Sequence, residues 1–228
     1  MNRDMIVVTF SGSKGGVGKT TLAIALSIVL SPNVRTLLVD ASSEGGATSY
    51  LLGDAPPPYL SQDPALSLRR VELFDGVQVF MAVNRGAIDP NRVAEFVRGL
   101  NEFDIVIIDL PALTDIETMR RYLPIFYIAD TILSVVEPSQ PSILSLKRFG
   151  EKRVVVALNV PRPLPFVAVD MYRRIVESFA RRHGYGFVLV PYEPAITRLS
   201  PATVNVLNYT SPSFDKAIAS LARLIKNK

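Results

Sequence analysis

The chain contains no cysteine, a single histidine and no long apolar run. Without cysteine it forms no disulfide, uses no thiolate nucleophile and holds no Fe–S cluster through its own thiolates. No apolar run reaches the roughly 18 residues that a membrane-spanning helix requires, and the first residues do not resemble a secretory signal. We therefore expect a cytosolic protein. His183 follows Arg181-Arg182 at a predicted helix end, where a cation is favourable for structural reasons, so we do not count it as catalytic.

The composition of the 228 residues, 48% hydrophobic and 20% charged, suits a single α/β domain over residues 1–228. Continuous apolar runs predict strands that are buried on both faces. These runs are residues 5–10, 36–39, 77–83, 105–108, 131–136, 154–158 and 186–190. Helical spacing appears between them, at residues 22–30, 91–100, 142–149, 167–182 and 213–226. The alternation predicts a doubly wound, mostly parallel sheet with helices on both faces, and residues 53–64 are predicted to form an irregular loop before the third of these strands.

Residues 12–21 read Gly-Ser-Lys-Gly-Gly-Val-Gly-Lys-Thr-Thr and lie between an apolar run and a helical stretch. Backbone amides can surround phosphate oxygens where glycine lets the chain approach closely, and the positive end of the following helix points at the same charge. Lys19 is predicted to reach the β and γ phosphates and the Thr20 hydroxyl to bind Mg²⁺, with Thr21 supporting the turn. The nucleotide-binding residues predicted from this loop are Gly15, Gly16, Val17, Gly18, Lys19, Thr20 and Thr21.

The loop departs from the strict pattern GxxxxGK[ST] by having Ser13 in place of the first glycine, and it adds Lys14. In both respects it resembles the deviant Walker A loop, KGGxGK[ST], of the ParA/MinD family of dimerising ATPases. The resemblance extends over nearly the whole chain. It implies ATP and Mg²⁺ as ligands and a homodimer that sandwiches ATP, in which Lys14 reaches the partner's phosphates. The resemblance also implies that Lys14, Lys19 and Asp40 are the catalytic residues.

Two further strand ends carry carboxylates. Asp109 closes the apolar run at residues 105–108 as in a Walker B motif, and it is predicted to bind Mg²⁺ through water. Asp40 closes the second run and matches the first carboxylate of the family's DxDxxxxN-like switch, which implies a place near Mg²⁺ and the attacking water. Ser42 stands where the second carboxylate is expected and Gly46 where asparagine is usual, so the sequence leaves hydrolysis in doubt; Glu44 is the alternative carboxylate.

The base-binding residues come from the last two predicted strands. The run 154–158 ends in Asn159, and family members place an asparagine here against the adenine edge; a simple turn asparagine is the alternative. The segment 190–196 resembles the family's IPxDxxV segment, which implies backbone contacts to the base from Pro191 and Tyr192.

A net charge of +4 and recurring basic pairs suit a polyanionic partner. The pairs are Arg69-Arg70, Arg120-Arg121, Lys147-Arg148, Lys152-Arg153, Arg173-Arg174 and Arg181-Arg182, and any single pair can equally be a solvated helix face. No sequence-reading motif is visible, so DNA binding would be non-specific. The resemblance to ParA proteins implies that an ATP dimer binds the DNA and acts in chromosome or plasmid partitioning. The resemblance also implies a centromere-binding protein that activates hydrolysis.

Three other functions stay open. A MinD-like positioning ATPase would place a C-terminal amphipathic helix on an anionic membrane, and Phe214, Ile218, Leu221 and Ile225 form such a stripe, although a core-packing helix has the same spacing. A small-molecule ligase or kinase of the dethiobiotin synthase type would have no use for Lys14. A degenerate member that binds nucleotide without hydrolysing it, as a scaffold, is suggested by Ser42.

Overall fold

The computed structural model describes residues 5–13 and 15–226, which form one eight-stranded sheet with helices on both faces. The strands are β1 Met5–Phe10, β2 Thr36–Asp40, β3 Leu68–Glu72, β4 Gln78–Ala82, β5 Ile105–Asp109, β6 Thr131–Val136, β7 Arg153–Asn159 and β8 Gly186–Val190. Their order is β3-β4-β2-β5-β1-β6-β7-β8, and every neighbouring pair is parallel except β3 with β4. The predicted doubly wound, mostly parallel sheet is thus confirmed.

The helices are α1 Lys19–Leu30, α2 Gly46–Leu52, α3 Pro90–Gly99, α4 Ile116–Arg121, α5 Leu123–Ile128, α6 Gln140–Leu144, α7 Phe166–Arg182 and α8 Pro212–Lys226. Short 3₁₀ segments lie at Phe74–Gly76, Pro194–Arg198 and Pro201–Tyr209. One hydrophobic core packs α1, α2 and α8 on one face of the sheet, and a second packs α3, α5 and α7 on the other. Parallel strands that are covered on both faces explain why the central strands read as continuous apolar runs.

The strand β3 was not predicted from the sequence. Its residues Leu68-Arg69-Arg70-Val71-Glu72 are largely polar, and it pairs antiparallel with β4 at the edge of the sheet. An edge strand has only one neighbour and can expose charged side chains, so it does not show the apolar run that marks a central strand. The short helices α2, α4 and α5 were missed because they span too few turns for a periodic pattern.

The helix predicted at residues 142–149 is wrong in its position. The observed α6 ends at Leu144, and the chain then runs without helical structure into a turn at Gly150. Leu146 and Phe149 point into the second core, where the Phe149 ring meets Phe10 edge-on at a centroid distance of 4.9 Å. The apolar spacing in this segment therefore reflects core packing by a non-helical chain.

The C-terminal helix α8 packs against α1 and β8. Phe214, Ile218, Leu221 and Ile225, the stripe seen in the sequence, are all buried in the first core. The guanidinium group of Arg153 at the start of β7 donates to the carbonyls of Leu224 and Ile225 and so satisfies the end of the helix. The structure thus places this stripe in the core, and no helix among the described residues is both long and apolar enough to cross a bilayer.

Candidate functional site

The glycine loop joins the carboxyl end of β1 to the first turn of α1 at the middle of the sheet. Gly18 has φ +98°, and a Cβ at this position would collide with the side-chain amide of Asn159, so both the backbone angle and the close approach require glycine. Around Gly15 and Gly16, by contrast, no described atom lies within 4 Å of the position that a Cβ would take. The loop therefore presents an open, glycine-lined cradle of the kind that receives phosphate groups.

Lys19 opens α1 and is buried, with 7% of its surface exposed. Burial lowers the pKa of its ammonium group, while the negative charge of Asp109 acts in the opposite direction. The predicted loop residue Val17 is fully buried, and Thr20 and Thr21 are half-buried at the start of the same helix. Lys14, which carries the resemblance to dimerising ATPases, lies outside the described residues.

Asp109 ends β5 directly opposite Asp40 at the end of β2, as the strand register shows. Its Oδ1 accepts a hydrogen bond of 3.0 Å from the Thr9 hydroxyl, whereas Oδ2 is buried and has no hydrogen-bond partner among the described residues. Burial, and then the negative charge of Asp40, raise the pKa of Asp109 to about 6, against opposing effects of Thr20, Lys19 and Thr9. A buried oxygen without a donor, beside a second carboxylate, fits a site that a divalent cation completes.

Asp40 is also fully buried, but its carboxylate is saturated with hydrogen bonds. Oδ1 accepts from the amide and hydroxyl of Ser42 at 3.1 and 2.7 Å, and Oδ2 accepts from the amide and hydroxyl of Thr48 at 2.8 and 2.7 Å. Burial raises the pKa of Asp40 and these four donors lower it. A carboxylate has about four lone-pair positions, so in this arrangement none is left for a water or a metal-bound water.

The loop between β2 and α2, residues 41–45, which we call the switch loop, is folded tightly around this carboxylate. Besides donating to Asp40, the Ser42 hydroxyl accepts a hydrogen bond of 2.6 Å from the amide of Gly46. A Cβ at Gly46 would lie 3.2 Å from the Ser42 hydroxyl and 3.4 Å from the Thr20 hydroxyl. Glycine is therefore favoured at position 46 because the backbone packs directly against the residues that hold the switch loop and the predicted metal ligand.

A family model for the CobQ/CobB/MinD/ParA nucleotide-binding domain matches residues 8–227. The chain belongs to this family. It is 27% identical over 181 residues to an uncharacterized ATP-binding protein of Methanocaldococcus jannaschii, a match that covers 75% of this chain and 67% of that protein. The resemblance to ParA/MinD ATPases predicted from the sequence is thus confirmed.

Solved structures show the same fold for this member of the CobQ/CobB/MinD/ParA family. Apo McdA of Cyanothece superposes with a TM-score of 0.77 at 18% identity, covering 97% of this chain and 99% of that one. MinD of Pyrococcus horikoshii, solved with Mg-ADP, superposes with a TM-score of 0.73 at 18% identity, covering 98% and 96%. At these identities the comparison establishes the fold alone.

Asn84 completes the switch loop of this family member, and the sequence did not reveal it. It is fully buried just after β4; its Nδ2 donates to the carbonyls of Ser42 and Gly86 at 2.7 and 3.1 Å, and its Oδ1 accepts from the amide of Ser61 at 3.0 Å. Its own amide donates to the Thr48 hydroxyl at 2.9 Å. Asn84 therefore links the hydrogen-bond network around Asp40 to β4, the neighbouring strand in the sheet. In the sequence, its only signal is its place shortly after an apolar run.

Ser13, the departure from the strict phosphate-loop pattern, also has a structural explanation. Its buried hydroxyl lies 3.0 Å from that of Ser11 and 3.4 Å from that of Ser142 on α6. The Ser142 hydroxyl in turn accepts a hydrogen bond of 2.9 Å from the amide of Glu137 after β6. This chain of hydroxyl groups joins the phosphate loop to α6, which is a role that glycine at position 13 could not fill.

Asn159 ends β7 beside the phosphate loop and is 8% exposed. Its Nδ2 donates a hydrogen bond of 2.8 Å to the carbonyl of Val17, so the amide orientation follows from the network and Oδ1 remains as the acceptor. Pro191 and Tyr192 are half-buried after the neighbouring strand β8, which is joined to the end of β7 by the bond from Val160 N to Val190 O. The structure thus brings the three predicted base-binding residues to the ends of two adjacent strands, and their contacts with a base stay a prediction.

Glu193, next to Tyr192, is a buried carboxylate that links this segment to α8. It accepts hydrogen bonds from the amides of Ala195 and Ser211 at 3.0 and 2.7 Å. Burial opposes ionisation, but the bonds from Ser211 and Ala195 prevail and lower the pKa of Glu193. Through these bonds Glu193 positions the segment that follows β8.

The basic pairs differ in how far they are neutralised. Arg173 and Arg174 both form ion pairs with Asp170, and Arg181 pairs with Glu177.

His183 packs between the rings of Phe179 and Tyr185, which accords with a structural role. Among residues 5–13 and 15–226, no cluster of three or more His, Cys, Asp or Glu side chains is arranged to hold a metal.

Proposed function

We propose that the chain binds ATP with Mg²⁺ at the carboxyl edge of the sheet. The observation that carries this is the unpartnered, buried Oδ2 of Asp109, which lies in one site with Lys19 and the open glycine cradle. Thr20 and Asp109 would hold the magnesium ion, and Asp40 lies opposite Asp109 on the neighbouring strand. When bound, the ion would neutralise charge at the β and γ phosphates. The M. jannaschii relative is described as ATP-binding, and MinD of P. horikoshii was solved with Mg-ADP.

The chain's own residues suit hydrolysis through electrostatic stabilisation. Lys19, held in a buried position, would offset negative charge that develops on the phosphate oxygens, and the loop amides would fix the phosphates in place. Lys14 is proposed to add the same effect from the partner subunit of an ATP dimer. Basal turnover should be low because all four acceptor positions of Asp40 are occupied by Ser42 and Thr48.

We further propose that the ATP dimer binds DNA without sequence specificity and acts in partitioning. The net charge of +4 supports this, since two subunits on one surface would add their positive charge and affinity rises steeply with the number of phosphates contacted. A centromere-binding activator remains the expected partner.

Two alternatives have specific observations for or against them. The saturated Asp40 favours a nucleotide-dependent scaffold with little hydrolysis. A MinD-like membrane ATPase loses its main support from α8, because the apolar stripe of that helix is in the core.

The experiment is sedimentation of the wild-type chain and of Lys14→Ala without nucleotide, with Mg-ADP and with Mg-ATP, together with steady-state phosphate release. We expect a wild-type dimer with Mg-ATP alone, and nucleotide binding without dimerisation in Lys14→Ala. An ATP dimer that is unchanged in Lys14→Ala would contradict the role given to Lys14. An ATP dimer without measurable turnover, even with duplex DNA present, would favour the scaffold.

A further inference from the structure

A polar cavity of about 600 Å³ lies at the carboxyl edge of the sheet, apart from the glycine cradle. Its walls come from Ser61, from residues 87–91 before and at the start of α3, and from Arg120, Arg121 and Pro124 where α4 meets α5. Neither arginine takes part in the nucleotide site described above, and neither packs in the core.

The charges that face this cavity are unbalanced. Arg120 is exposed and has no hydrogen bond or ion pair from its side chain to any described residue. The Arg121 guanidinium donates one hydrogen bond of 3.0 Å to the carbonyl of Ile88, which fixes it on the cavity wall. The one carboxylate in the lining, that of Asp89, already accepts a hydrogen bond of 2.9 Å from the amide of Asn91. Two guanidinium groups therefore face a solvent-filled space with a single opposing charge.

The cavity is connected to the nucleotide edge by a short, well-anchored segment. Six residues after Asp109, Asp115 caps α4 by accepting a 2.7 Å hydrogen bond from the amide of Thr118, and Arg120 and Arg121 close that helix. Within the connecting loop, the amide of Leu113 donates to the carbonyl of Ser11, just before the glycine loop, at 3.1 Å. A shift of this loop on nucleotide binding would therefore move the two arginines.

We propose that this cavity is an oxyanion site that receives a phosphate of the nucleic-acid backbone. The proposal rests on the DNA binding proposed above and names the surface that carries it. A guanidinium fork matches two phosphate oxygens, and backbone phosphates are contacted independently of sequence. Exposed Arg92, whose guanidinium donates to the carbonyl of Gln62, places a third positive charge at the start of α3, next to the cavity residue Asn91. Several cations close together suit a polyanion better than a single carboxylate.

The first test uses charge-matched variants in duplex retention with Mg-ATP across a salt series. Arg120→Gln removes one charge that has no structural contact, and Lys216→Gln removes one exposed charge from α8. We expect Arg120→Gln to weaken retention of all duplex sequences alike. The plot of log binding constant against log salt concentration should become less steep by about 1 for each phosphate that is no longer neutralised, whereas Lys216→Gln should leave its slope unchanged. Arg121→Lys, which keeps a donor for Ile88, should weaken retention as well. Equal slopes for Arg120→Gln and wild type would overturn the proposal.

The second test measures how far phenylglyoxal modifies Arg120 in the cavity, by mass spectrometry. Protection by duplex DNA with Mg-ATP, at concentrations where inorganic phosphate gives none, supports a backbone contact. If the wild type retains no duplex in any nucleotide state, the proposed DNA binding is wrong. Protection of Arg120 by inorganic phosphate then tests whether the cavity binds an oxyanion. Protection by millimolar phosphate would support an oxyanion site, and unchanged modification would overturn it.

Discussion

The hydroxyl of Ser42 donates a hydrogen bond of 2.7 Å to Oδ1 of Asp40 and accepts one of 2.6 Å from the amide of Gly46. A position where the family's switch carries a carboxylate thus holds a neutral group that bridges the buried aspartate to the start of α2. The switch loop is fixed by hydroxyl groups on both sides of Asp40, and its geometry is set by this chain's own departure from the family pattern.

Ser42→Ala should destabilise the protein and loosen this loop. It removes one donor from a buried carboxylate and one acceptor from the Gly46 amide, which predicts a loss of about 1–3 kcal/mol in the free energy of unfolding. Urea unfolding and hydrogen exchange of residues 43–48 measure the two effects. Ser43→Ala, at the exposed neighbouring position, is the control. If both variants unfold at the same urea concentration, the Ser42 bonds do not hold the loop.

The stability of the nucleotide-free protein should rise as the pH falls from 7 toward 5. The folded pKa of Asp109 is about 6, above its ordinary value of 3.8, so between these values the folded state binds more protons than the unfolded state. Ionisation at neutral pH therefore opposes folding, by up to about 3 kcal/mol for a shift of this size in a fully buried group. Asp109→Asn should remove this contribution and be more stable than wild type at pH 7.

Unfolding in urea at pH 7 and pH 5, without nucleotide or magnesium, tests this sign. The residual pH dependence of Asp109→Asn should be smaller than that of wild type, although Asp40, whose pKa is also raised, will leave some of it. Glu151→Gln, at an exposed position, should behave as wild type. A variant with the full wild-type dependence would assign the effect to other groups.

Asn159→Ala should lower the affinity for ATP and abolish discrimination against GTP. The Nδ2 group is engaged by the Val17 carbonyl, so the free Oδ1 can only accept, and it would favour the amino group of adenine over the carbonyl of guanine. Competition of ATP and GTP for a fluorescent nucleotide measures the ratio. If affinity falls while the ratio is unchanged, Asn159 serves only to hold the phosphate loop.

Leu221→Ala should destabilise the fold strongly, because this side chain on α8 is fully buried. Truncation of a buried leucine predicts a loss of about 2–5 kcal/mol, whereas Ala219→Ser on the exposed face of the same helix should have little effect. Co-sedimentation with anionic vesicles gives the second measurement, and the wild type with Mg-ATP should remain in the supernatant. ATP-dependent pelleting that Leu221→Ala weakens at unchanged stability would place α8 on the membrane.

The sequence predicted the central strands and the phosphate loop well because both follow from strong local rules. Strands buried on both faces are apolar throughout, and a glycine loop before a helix has a fixed spacing. The edge strand β3 escaped because its exposed Arg70 and Glu72 break the apolar run. The helix predicted at residues 142–149 extends past the end of α6 because Leu146 and Phe149 join the core without helical structure.

At the site, the sequence identified Asp40 and Asp109 but could not show that their environments differ. Asp40 receives donors from Thr48, eight residues later, and the loop around it depends on Asn84, which is more than forty residues away. Such long-range bonds leave no periodic trace. The bonds from Ser42 and Thr48 saturate Asp40, whereas Asp109 keeps one oxygen without a donor among the described residues.

Retention of non-specific duplex DNA with Mg-ATP, with Mg-ADP and without nucleotide, across a salt series, tests the proposed function most directly. We predict retention only with Mg-ATP, with a steep loss of affinity as salt rises, since the binding surface is assembled by the nucleotide and acts on phosphates. Absence of retention in every state, or equal retention in all three, would contradict a nucleotide-controlled DNA-binding dimer.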